Sequence, residues 1–214
     1  MNYLKYIQTE KKQSAKRVMD LFGVMTAYQT MKNPEYDLAI DVGSYDGMHS
    51  RVYSMLFKKV ISFDPSGHED VDTIQSPNQV FHSKALYSDK RVLDMTTYPV
   101  GGFDSIDPPA RLKNHLDKYQ TTLKKVQTYT LDEFNVPAVN FLKIDAEGSD
   151  GHIILGAKET IKRFRPVIQV EDLGNKKEAE NFLFDNDYEL LDGKYLFGVY
   201  SVAVDSVYIP IEKK

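Results

Sequence analysis

The period of apolar and polar positions changes several times along this chain, and each change predicts a new element. Over residues 1–31, Leu4, Ile7, Val18, Leu21 and Phe22 recur between Lys, Gln and Glu, which predicts an amphipathic helix. "KNPEY" breaks that pattern. Short apolar runs follow, of the kind that parallel strands buried on both faces require. They are "YDLAIDVG" (36–43), "KVISFDP" (59–65), "QVFHSKALYS" (79–88), "VNFLKIDA" (139–146) and "PVIQVED" (166–172). Helical patterns lie between them: "GMHSRVYSMLFK" follows the first run and "GHIILGAKETIKRF" precedes the last. Strand and helix in alternation predict an α/β fold, doubly wound around a mostly parallel sheet with right-handed crossovers.

The middle of the chain breaks this rhythm. "RVLDMTTYP" (91–99) alternates like a half-exposed strand, and "VGGFDSIDPPA" (100–110) is rich in turn formers. "RLKNHLDKYQTTLKK" reads as a polar helical insertion, and "VQTYTLDEF" (126–134) returns to strand alternation. Residues 91–125 are therefore expected to form a flap on the sheet, in which Tyr98 and Phe103 either cover a substrate or pack an edge. At the C-terminal end, "YELLDGKYLFGVYSVAVDSVYIPI" predicts antiparallel strands closing one edge. With no repeat, low-complexity tract or linker, residues 1–214 are expected to form one domain.

Composition narrows the function classes. The 214 residues include 14 Tyr and 11 Phe, ample for one large core. A net charge of −4 argues against a broad nucleic-acid face. The absence of cysteine rules out thiolate metal sites and cysteine nucleophiles and suits a reducing compartment. The N-terminus has no long apolar core of a secretory signal, and no run approaches the ~20 residues of a membrane span. A cytoplasmic location without a membrane partner is expected.

Two stretches carry chemistry. "AIDVGSYDGMHS" follows a predicted strand and opens a helix, the place where open α/β sheets bind ligands. Gly43 and Gly47 allow a tight turn, and Ser44 lies between them. Tyr45 stands where a GxGxxG pattern has its second glycine, which counts against a nicotinamide dinucleotide. The next strand ends in Asp64, whose carboxylate can accept hydrogen bonds from both ribose hydroxyls of a nucleoside. The pair of motifs suits S-adenosyl-L-methionine, with Asp41 near its amino-acid half. The second stretch is "FLKIDAEGSD", where Lys143, Asp145 and Glu147 alternate and would share one face of an extended chain. A buried Lys143 ammonium needs a carboxylate, and Glu171 at the end of the adjacent strand is the expected partner. Asp145 is expected at the strand end as base or orienting group, while Glu147 and Gly148 either join it or only shape the loop.

These motifs together resemble the FkbM-type S-adenosylmethionine-dependent methyltransferases. The resemblance rests on Thr130-Leu131-Asp132, Lys143-Ile144-Asp145, Glu147-Gly148, Gly156-Ala157, Arg165-Pro166 and Glu171. "DVGSYDGMHS", "VISFDP" and "KALYSD" also match the family's earlier motifs, so the likeness runs through residues 36–172. Asp150 replaces a common Glu, Gly151 replaces an apolar helix residue, and the segment after Asp64 is short. The resemblance implies a seven-stranded Rossmann-like sheet of the class I methyltransferase type. It also implies S-adenosylmethionine bound by Asp41, Gly43, Ser44, Gly47, Asp64, Ala85 and Asp145, and O-methylation of a small molecule or saccharide with Asp145 and Glu147 as catalytic residues. Two other readings compete: a non-catalytic nucleoside-binding module of the same fold, and a nicotinamide-dependent oxidoreductase. Asp145, Glu171 and Asp172 are hard oxygen ligands that would suit Mg²⁺, although the family is not defined by a metal. His49 and His68 follow the two cofactor loops and either line the pocket or sit on a solvated surface.

Overall fold

A computed structural model describes residues 27–66, 76–99, 103–108, 120–171, 173, 177–191 and 205–214. Among the described residues, ten strands run in chain order: β1 (Leu38–Val42), β2 (Lys59–Phe63), β3 (Gln79–His82), β4 (Ala85–Leu86), β5 (Val92–Thr97), β6 (Thr122–Tyr129), β7 (Phe141–Ile144), β8 (Val167–Val170), β9 (Tyr188–Leu190) and β10 (Ser206–Pro210). The helices are α1 (Met48–Tyr53), α2 (Asp150–Leu155), α3 (Lys158–Phe164) and α4 (Lys177–Asp185). Seven strands form one sheet in the order β3-β2-β1-β7-β8-β10-β9. The first five are parallel, and β10 runs antiparallel to both β8 and β9. The antiparallel strand therefore lies one place inside the edge. The order reverses between β1 and β7, which creates the crevice where ligands bind in open sheets.

Strands β2, β1, β7 and β8 are buried on both faces, as their largely apolar runs require, whereas β3 at the edge leaves Val80 exposed. Ile40, Ile61, Leu142 and Ile168 pack on the face that carries α2, α3 and α4. Ala39, Val60, Phe141 and Val167 pack on the other, against Tyr53 of α1 and Tyr28. Asn140 sets the lower end of β1, because its Oδ1 accepts the amides of Asp37 (3.0 Å) and Leu38 (2.9 Å).

Three elements differ from the sequence pattern. "QVFHSKALYS" is two strands rather than one: β3 stays in the main sheet, and β4 joins β6 and β5 in a separate three-stranded sheet. "GHIILGAKETIKRF" is two helices, α2 and α3, separated at Gly156-Ala157. A Cβ on Gly156 would lie 2.0 Å from the carbonyl oxygen of Tyr87, so the chain needs glycine where α2 meets the end of β4. The third difference is in the polar stretch before Val126, where Thr122–Lys125 is strand, paired with β5 from Thr97 to Asp94. Residues 111–119, expected as helical, lie outside the described residues, as do most of the N-terminal helix and residues 192–204. No helix among the described residues is long and apolar enough to cross a membrane.

Candidate functional site

Strand register stacks the central sheet into rows on the α1 side. Val60, Ala39, Phe141 and Val167 lie side by side across β2, β1, β7 and β8. Two residues further along the same strands come Ser62, Asp41, Lys143 and Gln169, also in register and all buried. Two residues beyond these come Asp64, Gly43, Asp145 and Glu171, at the carboxyl ends. The face thus passes from an apolar row to a buried polar row to the row that borders the crevice.

The polar row is held by its own contacts. Lys143 is fully buried, and its Nζ lies 3.4 Å from Asp41 and 3.3 Å from Asp145. Ser50 on α1 donates to Asp41 Oδ2 at 2.5 Å and meets Ser62 Oγ at 2.7 Å, and Gln79 donates to Ser62 at 3.0 Å. Burial pulls the Lys143 pKa down, but the negative charges of Asp145 and Asp41, with smaller contributions from Tyr53 and Asp205, outweigh it. The ammonium is held well above the ordinary lysine value. The expected Lys143–Glu171 pair does not form. In register Lys143 lies beside Asp41 and Gln169, whereas Glu171 is one row higher, and its amide pairs with the Ile144 carbonyl at 3.1 Å.

A cleft of about 610 Å³, counting its open mouth, lies over the upper row. Among the expected cofactor residues, Gly43, Asp64, Ala85 and Asp145 line it, as does Glu147. Asp41 lies beneath it, wholly buried. Ser44 is buried behind the turn, its amide on the Phe63 carbonyl at 3.3 Å. Gly47 caps α1 in the left-handed region (φ 73°), and the Met48 amide after it is taken by Asp46 at 3.1 Å. The short helix thus begins with a satisfied donor. Asp64 Oδ2 accepts the Tyr45 amide at 2.8 Å, and Oδ1 accepts the Ser66 amide at 2.9 Å. Oδ1 also accepts the Ser66 hydroxyl, so its two lone pairs are taken within its own loop, and Oδ2 retains the further lone pair for a ligand hydroxyl.

Across the cleft, the chain leaves β7 at Ile144, so Glu147 is not on an extended strand. It has φ 50°, a strained conformation for a residue with a Cβ, and is followed by Gly148 at φ 103°. Ser105, buried in the 103–108 segment, donates to the Glu147 carbonyl at 2.6 Å, and its backbone pairs with Thr96. Asp150 at the start of α2 accepts the Ala146 amide at 2.9 Å. The turn brings one carboxylate oxygen each of Asp145, Glu147 and Glu171 within 4.8 Å of one another. Hard oxygens in this arrangement could hold a divalent ion, but the Lys143 ammonium already supplies a positive charge to Asp145. Asp172, the third expected ligand, lies outside the described residues, as does His68. His49 stacks on Tyr53 with ring centroids 6.4 Å apart. Of the two flap aromatics, the Tyr98 amide bonds Asp104 (3.0 Å) and Phe103 is exposed.

Several hallmark residues prove to be scaffold. Thr130 and Glu133 form a reciprocal capping box, and Asp132 accepts the Glu159 and Thr160 amides at 3.1 and 2.8 Å, closing the start of α3. Arg165 ends α3 with φ 54° and reaches Glu212 with two nitrogens, at 2.7 and 2.9 Å. Sequence reading missed Ser50, Ser62, Ser105 and Ser149. Ser149 lines the cleft with a buried Oγ that has no hydrogen-bond partner among the described residues. An orphaned buried hydroxyl beside Asp64 and Asp145 fits a polar ligand in the cleft, as a nucleoside carrying an amino-acid arm would be. Only the order Ser-Asp-Gly after Glu147 hinted at Ser149.

Comparison with known proteins gives the family and the fold. The family model described as the methyltransferase FkbM domain matches residues 41–195. None of the curated proteins compared with the chain matches it. Among solved structures, the methyltransferase FkbM from Methylobacillus flagellatus KT is similar at 14% identity with a TM-score of 0.52. That likeness covers 85% of this chain and 45% of the other, so this chain spans under half the length of that protein. The precorrin 8w decarboxylase of Methanobacterium thermoautotrophicum is similar at 14% identity, covering 92% and 91% of the two chains, with a TM-score of 0.47. An rRNA methylase from Streptococcus thermophilus is similar at 11% identity, covering 87% and 92%, with a TM-score of 0.46. The mostly parallel seven-stranded sheet is the Rossmann-like arrangement of class I methyltransferases.

Proposed function

Because this chain belongs to the FkbM methyltransferase family, we propose that it methylates a hydroxyl oxygen on a small molecule or saccharide, using S-adenosylmethionine. The observation that carries this reading is the upper row of the sheet. In it Asp64 and Asp145 lie on opposite sides of Gly43 along one cleft, and Glu147, on the turn after Asp145, lines the same cleft. When bound, S-adenosylmethionine supplies a methyl group activated by a sulfonium. Asp64 would accept the ribose hydroxyls, and the Gly43 turn would pass under the arm that leads to Asp145. The acceptor oxygen must approach in line with the carbon–sulfur bond and shed its proton as the new carbon–oxygen bond forms. Asp145 or Glu147 would take that proton or orient the hydroxyl. This reading needs no metal, and it includes a cytoplasmic location and one domain without nucleic-acid or membrane partners.

The test is methyl transfer from labelled S-adenosylmethionine to a panel of hydroxylated, saccharide and amine acceptors, with calorimetric titration of S-adenosylhomocysteine alongside. Label on hydroxyl acceptors supports the reading. Transfer to amines alone would overturn the oxygen assignment. Binding without turnover on any acceptor would favour a nucleoside-binding module, and stabilisation by NAD in place of S-adenosylhomocysteine an oxidoreductase.

A further inference from the structure

The buried polar row beneath the cleft has no place in the reaction just described, yet its Lys143 touches Asp145, a carboxylate that lines the cleft. Lys143 is wholly buried between Asp41, also fully buried, and Asp145, whose side chain is 17% exposed. Asp41 is fixed in turn by Ser50, whose hydroxyl meets that of Ser62, itself held by Gln79. Asp145 can thus turn toward the cleft only as far as its contact with a rigid ammonium allows. The ammonium also neutralises one of the two carboxylates that flank it, leaving the trio with a single negative charge, borne on the side that faces the cleft. Without that cation two carboxylates would face each other in a buried space, an arrangement in which one of them takes up a proton.

Resting on the methyltransferase reading, we propose that Lys143 is a positioning residue that aims the ionised Asp145 at the cationic amino-acid arm of the cofactor. Asp41, which the glycine motif would assign to the cofactor itself, serves as the anchor of Lys143. In this arrangement the motifs of β1 and β7 form one electrostatic unit: Asp41 holds Lys143, and Lys143 holds Asp145. Lys143 itself touches neither substrate nor cofactor. A lysine that served only as a strand-end tie would support every part of the cleft alike. A positioning lysine selectively affects the ligand that carries the amino-acid arm.

That difference sets the experiment. S-adenosylhomocysteine and methylthioadenosine share the nucleoside that Asp64 would hold, but only the first carries the amino-acid arm. Both are titrated calorimetrically into the wild-type protein, Lys143→Met and the double variant Lys143→Met/Asp41→Asn. The double variant removes both buried charges together, and replacing a buried ion pair by neutral groups is well tolerated where removing one partner is not. Circular dichroism and thermal melting report the fold of each. The expected result is that S-adenosylhomocysteine weakens by roughly 10- to 100-fold, the loss of one charge-assisted contact. Methylthioadenosine should stay within about twofold of wild type, a change too small to report a lost contact. Equal loss of both ligands, retention of the wild-type ratio in the double variant, or failure of both variants to fold would overturn the proposal and leave Lys143 a structural tie. A wild-type protein that binds neither ligand would instead remove the cofactor reading on which the proposal stands, and the proposal with it.

Discussion

Gly43 and Asp145, 102 residues apart in the chain, meet where β1 and β7 end: a Cβ on Gly43 would lie 1.8 Å from the Asp145 carbonyl oxygen. Gly43 also holds φ 75°. The glycine is therefore required twice over, once by its own backbone and once by its neighbour's. Gly43→Ala should destabilise the protein by about 3 kcal/mol or more, since the left-handed penalty adds to a forced shift of backbone. Urea denaturation of the variant would check this, and a loss below about 1 kcal/mol would mean that the two strand ends separate freely.

Asp64 bridges its own loop and the glycine turn through the Ser66 and Tyr45 amides. Asp64→Ala should weaken S-adenosylhomocysteine by about 1.5–3 kcal/mol, the range for hydrogen bonds to a charged acceptor. Calorimetry gives the value directly. Unchanged affinity would move the ribose elsewhere.

For Asp145, substitution by Asn keeps the shape and removes the charge. If Asp145 takes the acceptor's proton, single-turnover rates should fall by roughly 10²–10⁴ with cofactor affinity nearly kept. If it mainly holds the amino-acid arm, S-adenosylhomocysteine affinity should fall along with the rate. Wild-type values for both would exclude Asp145 and shift attention to Glu147.

The "TLD" motif makes a contrasting prediction. Asp132 accepts two amides at the start of α3. Asp132→Ala should lower stability by about 1–2 kcal/mol, as loss of a helix cap does, and leave S-adenosylhomocysteine affinity at its wild-type value. A selective loss of binding would place Asp132 in the site instead.

His82 adds a pH dependence. It stacks on Phe63 with centroids 5.1 Å apart. Burial, then the positive charges of Lys84 and Lys59, hold its pKa below the ordinary histidine value. The unfolded chain therefore binds a proton here at higher pH than the folded one does. The stability contribution is complete above a pH of about 6.5 and is lost as pH falls from there through the folded value. Melting temperatures of wild type and His82→Gln between neutral and mildly acidic pH should converge as pH drops, and parallel curves would rule out His82 as the source.

What the sequence determined by itself was local. Largely apolar runs placed β1, β2, β7 and β8 within a few residues, because a strand buried on both faces must be mostly apolar. The glycine turn after β1, Asp64 after β2 and Asp145 after β7 could be read as site residues, because each follows a strand and lies in a short stretch whose residue types suit a nucleotide-like ligand. The tertiary structure alone decided their partners. Lys143 takes Asp41 and Asp145 rather than Glu171 because inter-strand register sets which residues lie side by side, and register is a relation between distant segments. The same holds for the split of "QVFHSKALYS" between two sheets and for the break between α2 and α3, where the Tyr87 carbonyl excludes a side chain at Gly156. It holds too for Ser105 and Ser149, ordinary serines in the sequence: the fold buries both, binding one to the Glu147 turn and placing the other in the wall of the cleft. Periodicity records how much of each residue is buried, but the identity of what buries it depends on packing between segments that the pattern along the chain does not contain.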